Sequence, residues 1–144
     1  MARLSPWPVI AVGAIVWKED RVLMIRRGRP PRQGGWSIPG GRQEAGETVH
    51  QAVIREIREE AGIEIEIIEI AAVVDLIERD GDEISHHYTV IDMLAEWRSG
   101  QAVAGDDAEA AAWFTLAELA ELDLPDIQRQ VIADAARKRR MVAA

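Results

Sequence analysis

The sequence predicts an α/β (α+β) fold in which a sheet carries helices, and three observations point to it. Short β-branched apolar runs separated by turn formers fill the first and middle parts of the chain. A stretch from Thr48 to Ala61 repeats its apolar residues at helical spacing, and a second such stretch follows Pro125. No internal repeat, low-complexity tract or linker interrupts the 144 residues, which is the length of one domain, so a single domain over 1–144 is expected.

Val9 to Trp17 and Val22 to Ile25 are apolar runs parted by Lys18, Glu19, Asp20 and Arg21, the pattern of a hairpin. Residues 28–41 hold Pro30, Pro31, Gly34, Gly35, Pro39, Gly40 and Gly41, so a loop is expected there with at most a short strand at Trp36 and Ser37. Thr48 is placed to open a helix of about four turns that stops at Gly62. Ile63 to Ile77 and Ile84 to Trp97 predict two strands turning at Asp80, Gly81 and Asp82. Ala111 to Phe114 predicts a last strand. Thr115 and Glu118 have the spacing of a capping box for a short helix. In the final helix Ile127, Val131, Ile132 and Ala135 form the apolar stripe. Arg137, Lys138, Arg139 and Arg140 fall at its carboxyl end, where cations complement the helix dipole.

Composition narrows the chemistry. With no cysteine there is no disulfide, no thiol nucleophile and no thiolate metal site, which leaves carboxylates to do the work. A formal net charge of -8 argues against a nucleic-acid polymer as partner. No signal pattern is read at Met1 to Pro8, and no apolar run approaches the roughly 20 residues of a membrane span, so a cytoplasmic protein with no membrane partner is expected. Charge is unevenly spread. From Lys18 to Arg42 there are seven basic residues against Glu19 and Asp20, a polarity suited to a phosphorylated ligand held between arginines and a carboxylate-bound cation.

The sharpest clue is where the acids of the first helix fall. Val49, Val53, Ile57 and Ala61 make one stripe, yet Glu60 projects only about 20° from Val53 and Glu56 about 40° further. Glu59 completes an i, i+3, i+4 set of like charges at the edge of the core, unfavourable unless a cation compensates it. Oxygen ligands of this kind select hard ions, Mg2+ first and Mn2+ as a substitute.

These residues resemble a known family. Gly41, five residues, Glu47, seven residues, then Arg55-Glu56-Ile57-Arg58-Glu59-Glu60-Ala61-Gly62-Ile63 fill every fixed position of the Nudix box, G-x5-E-x7-R-E-U-x-E-E-x-G-U, with U a bulky aliphatic. Gly34 to Gly41 and Trp113 to Leu116 extend the likeness. The resemblance implies a Nudix fold, a mixed β-sheet sandwiched between α-helices, and metal-dependent cleavage of a phosphoanhydride bond. Carried over by position, Glu56, Glu59, Glu60 and the Gly40 carbonyl are the implied metal ligands. Arg55 would orient Glu56, and Glu47 would support the site. The general base is Glu56 or an acid among Asp106, Asp107 and Glu109, Asp107 and Glu109 being preferred.

The substrate is less legible. Arg26, Arg27 and Arg32 are candidates for phosphate, and Trp36 or His87 for stacking on a base. No proline occurs between Pro39 and Pro125, so the proline marking many ADP-ribose enzymes is absent; Tyr88 comes too late for the dinucleoside-polyphosphate pattern. Arg27-Gly28-Arg29-Pro30-Pro31, His87-Tyr88 and Gly105-Asp106-Asp107-Ala108 look most like bacterial proteins labelled ADP-ribose pyrophosphatases. The resemblance therefore implies ADP-ribose or a similar small nucleotide. Its alternatives are a nucleoside triphosphate, oxidised or pyrimidine, and a non-catalytic nucleotide-sensing domain. It also admits a homodimer, although no feature of the sequence marks an interface.

Overall fold

The computed structural model describes residues 7–30, 32–105 and 107–143. Pro31 and Asp106, named above, therefore lie outside the described residues, as do residues 1–6 of the stretch read for a signal pattern. In chain order the elements are β1 (Val9–Lys18), β2 (Arg21–Arg27), β3 (Trp36–Ser37), β4 (Gly40–Arg42), α1 (Val49–Ala61), β5 (Glu64–Asp80), β6 (Glu83–Ser99), β7 (Ala108–Thr115), α2 (Leu116–Ala120) and α3 (Asp126–Ala143).

The strands form one mixed sheet whose centre is β1. It runs parallel to β6 from Val9 opposite Tyr88 to Trp17 opposite Glu96. Its other edge is shared: β2 pairs with it only at the hairpin end, at Trp17 and Lys18, and β4 pairs at Ala11, Val12 and Gly13. Strand β2 continues outward to β3 and β7, and β5 lies antiparallel outside β6.

Alternation along β1 sends side chains to both faces. Val12, Ala14 and Val16 pack with Val53, Ile57 and Ala61 of α1, whereas Ile15 and Trp17 pack with Leu119, Val131, Ile132 and Ala135 on the opposite face. With both faces covered, the strand must be apolar throughout, hence the unbroken run. The expected sandwich is therefore what the structure shows.

Both helix-start readings hold at the level of single hydrogen bonds. Thr48 caps α1 in a reciprocal box with Gln51, Gly62 ends it in the left-handed conformation, and Thr115 and Glu118 box α2. Two features differ from expectation. Strands β5 and β6 continue through Glu78–Asp80 and Glu83, 17 residues each, into a tight turn at Gly81, φ 63°. The basic end of α3 does more than complement a dipole. Lys138 donates to the carbonyls of Ile70 (2.9 Å) and Ala71 (3.0 Å), where a bulge breaks the β5–β6 ladder. Arg139 pairs with Glu96 and lies over the Trp17 ring at 4.5 Å. Tertiary demand for donors thus draws these two side chains back onto the sheet.

Candidate active site

Helix α1 leans its apolar stripe on the sheet, and that contact fixes where its acids point. Ile57 and Ala61 are fully buried, so Glu56 and Glu60, one step round the helix, are directed at β4. The Gly40 N–H donates to Glu60 Oε1 at 3.1 Å. Gly41 is glycine for a steric reason: a Cβ there would stand 2.5 Å from the Glu56 carboxylate. Two carboxylates of like charge are thereby held side by side against a short strand.

Arg55 organises the rest. Its Nε and Nη2 donate to Glu47 Oε2 (2.6 Å) and Oε1 (2.9 Å), its Nη1 to Glu56 Oε1 (2.8 Å) and Glu59 Oε2 (3.2 Å), and its Nη2 also to the Arg42 carbonyl (2.9 Å). All five guanidinium N–H groups are used, and no ammonium could replace them. Glu59 differs from the sequence picture. Its position lies further round the helix from the core, so it is exposed and turns outward to Arg55, and among the described residues no three acids converge as a ready metal cluster.

Electrostatics follows from this packing. Burial pushes the Glu60 carboxyl up to about 8; the Gly40 N–H opposes that rise, and the neighbouring Glu56 charge adds to it. The Arg55 hydrogen bond, with help from the Glu44 N–H, holds Glu47 below the usual carboxylate range. Burial also raises Asp92, on β6, to about 6.

Two cavities meet here. The larger, about 560 Å³, is walled by Glu56, Glu59, Glu60, Arg27, Arg29, Arg42 and Asp107. The smaller, about 240 Å³, opens between β5, β6 and the start of α3, and shares Arg27, Ile38, Gly40 and Gly41 with the first. The arrangement can neutralise a polyphosphate in one cavity and hold an apolar ring in the other.

Not every expected residue comes to this place. Asp107 lines the larger cavity and pairs with Arg29 at 2.9 Å. Glu109 instead pairs with Arg26 at 3.3 Å, and neither lines either cavity. Trp36 meets Phe114 edge to face at 4.9 Å within the core, and Arg32 is spent on the carbonyls of Trp36 and Asp123. His87 is half-buried on β6 opposite Ile77, outside both cavities. Conversely, sequence reasoning missed Arg29, Asp92 and Gln128. Asp92 carried a signal, being an acid flanked on both sides by the apolar residues Val90, Ile91, Met93, Leu94 and Ala95.

A mixed sheet between helices, with a loop and helix presenting carboxylates beside arginines, defines a hydrolase of phosphorus anhydrides. Comparison with known proteins gives the family. Residues 7–135 match the NUDIX domain. The chain is 37% identical over 120 residues, 83% of its length and 69% of the relative's, to a Methanocaldococcus jannaschii protein named ADP-ribose pyrophosphatase. It is 36% identical over 133 residues, 90% of its length and 88% of the relative's, to a Mycobacterium tuberculosis protein named putative 8-oxo-dGTP diphosphatase 2. Among solved structures, a MutT NUDIX hydrolase from Burkholderia pseudomallei superimposes with a TM-score of 0.77 at 33% identity, covering 89% of this chain and 98% of that one. The chain belongs to the Nudix hydrolase family, whose members generally use a divalent metal and act on small nucleotides. Among the described residues no helix is long and apolar enough to cross a membrane.

Proposed function

We propose that the protein hydrolyses the phosphoanhydride bond of a nucleoside diphosphate linked to a second group, ADP-ribose or a close analogue, in a Mg2+-dependent reaction for which Mn2+ can substitute. One observation carries the reading: the carboxylate-and-arginine cavity and the apolar cavity adjoin, sharing Arg27, Ile38, Gly40 and Gly41, as a diphosphate and its nucleoside would require. The 37% identity to a relative named ADP-ribose pyrophosphatase supports that substrate. A triphosphate such as an oxidised purine nucleotide is the second reading, favoured by the 36% identity to a relative named for 8-oxo-dGTP.

The residues fit a divalent cation. Glu56 and Glu60 stand side by side, half-buried, and a divalent cation would offset both the crowding of like charge and the burial that raises the Glu60 carboxyl. Glu56, Glu60 and the Gly40 carbonyl would hold the ion, joined by Glu59 if it turned from Arg55. The ion, once bound, neutralises phosphoryl oxygens and lowers the pKa of an attacking water. Arg55 holds the Glu56 carboxylate in place, and Glu47 anchors Arg55 in turn. Arg27, at the junction of the cavities, grips the diphosphate. Glu56 or Asp107 accepts the proton of the attacking water, whose oxygen bonds to phosphorus as the bridging P–O bond breaks.

The test is turnover of ADP-ribose, nucleotide sugars, dinucleoside polyphosphates and nucleoside triphosphates, oxidised ones included, with Mg2+, Mn2+ or chelator. Cleavage of ADP-ribose to AMP and ribose 5-phosphate is expected, abolished by chelator. Preferential turnover of a triphosphate would favour the second reading.

A further inference from the structure

Asp92 is the acid for which the box has no use. It is 6% exposed, faces the smaller cavity, and among the described residues meets no hydrogen-bond donor or ion-pair partner. Buried polar groups are almost always paired: Ser37 accepts from Gln128 at 3.2 Å, Trp17 Nε1 is the one fully enclosed side-chain polar atom without a partner among the described residues, and the Asp92 oxygens open to the cavity. The structure also makes room for this carboxylate. Asp92 sits beside Gly13 in the parallel β1–β6 register, and a Cβ at Gly13 would lie 2.3 Å from Asp92 Oδ1.

The surrounding cavity indicates what would satisfy it. Val74, Leu76, Val90, Ile127 and Val131 make its walls apolar. Gln128, the uncharged polar side chain of its lining, has its Oε1 occupied by the Ile38 N–H at 3.0 Å and its Nε2 donating to Ser37. Arg27 stands at the mouth toward the larger cavity. An apolar slot with one buried acceptor and a cation at its phosphate end is complementary to a flat heterocycle bearing an N–H, attached to a diphosphate.

We infer that Asp92 reads the nucleobase, its carboxylate accepting a hydrogen bond from an N–H on the base edge. The inference rests on the nucleotide reading above. The adenine amino group and the amide edge of guanine or oxidised guanine share this donor chemistry. A purine lacking those N–H groups leaves the buried carboxylate unpaired and is rejected, because a site built to bond a donor discriminates strongly against its absence. An unpaired buried carboxylate also costs stability, so a group kept for ligand rather than fold should stabilise the free protein when neutralised.

The experiment measures binding, with Mg2+ present, of the α,β-methylene analogues of ADP, GDP and purine-riboside diphosphate, with methylenediphosphonate as the probe lacking a base. Wild type should bind one of the two amine-bearing nucleotides roughly tenfold or more tighter than the purine-riboside analogue. Whichever of the two it prefers names the base. In Asp92→Leu, which keeps the shape and removes the acceptor, that preference should collapse to within about threefold, while the free variant melts at or above wild type. Equal weakening toward every probe, methylenediphosphonate included, would assign Asp92 to the fold and overturn the inference, as would an unchanged preference or a lower melting temperature. Wild-type turnover separates the two levels. If the protein cleaves nucleotides and Asp92→Leu keeps its preference, only the base-reading role fails; if no nucleotide is cleaved, the functional reading fails first.

Discussion

Replacing Glu60 by Gln should raise the stability of the metal-free protein while destroying its function. Burial, aggravated by Glu56, lifts the Glu60 carboxyl from its ordinary 4.5 to about 8. A carboxyl whose folded pKa exceeds its unfolded value costs nothing below the unfolded pKa, and the cost grows as pH rises until the folded pKa is passed. Between pH 4.5 and pH 7 that amounts to ~3 kcal/mol, at about 1.4 kcal/mol per pH unit. Water entering the cleft would reduce this, so it is an upper figure. The shape of Gln preserves the acceptor that the Gly40 N–H uses and removes the charge. In chelator at pH 7 the variant should therefore melt higher than wild type by up to roughly 10 °C. The two curves should converge near pH 4.5. Saturating Mg2+ should reverse the order, stabilising wild type and leaving the variant unmoved. Turnover should drop by about 100-fold or more, the scale of losing one transition-state charge stabiliser. Melting curves across pH, with and without Mg2+, read every part of this. A variant that melts below wild type in chelator, or turns over near the wild-type rate, would refute the reasoning.

Three further perturbations follow from the same geometry. Arg55→Ala leaves Glu47 and Glu56 without their guanidinium partner, so urea denaturation should show a loss of about 3 kcal/mol and turnover should collapse with it. Arg27→Ala should raise KM for the nucleotide roughly 10-fold or more, as expected of a phosphate contact at the junction of the cavities. Ile57→Ala opens a cavity under the only turn of α1 that carries both Glu56 and Glu60, and should cost about 2–5 kcal/mol in chemical denaturation.

How much of this was legible in the sequence depends on the kind of interaction. Helix α1 was readable to the residue because its stop and start are local: Thr48 caps it and Gly62 ends it. The inward placement of Glu56 and Glu60 was readable because helical phase is geometry. The outward turn of Glu59 follows from the same phase, which leaves it far enough round the helix to accept from Arg55. Strand β4 escaped notice, since three residues, two of them glycine, carry no side-chain alternation. Arg32 and Trp36 could not be told from ligand contacts, because their partners Asp123 and Phe114 lie some 80 to 90 residues away. The same distance hid Gln128, whose contacts with Ser37 and Ile38 place it in the smaller cavity. Asp92 was visible as an acid in an apolar strand; its role needed the cavity.

The central claim, cation-dependent cleavage at the Glu56–Glu60 pair, is tested most directly by following products by phosphorus NMR. Wild type, Glu56→Gln and Glu60→Gln would each be given ADP-ribose and the oxidised triphosphate, with Mg2+ and with chelator. The account expects wild type with Mg2+ to split one of these at an anhydride bond, and chelator or either variant to suppress the reaction by about 100-fold or more. Cleavage that persists at the wild-type rate in both variants, or no cleavage of either compound by wild type with Mg2+, would contradict it.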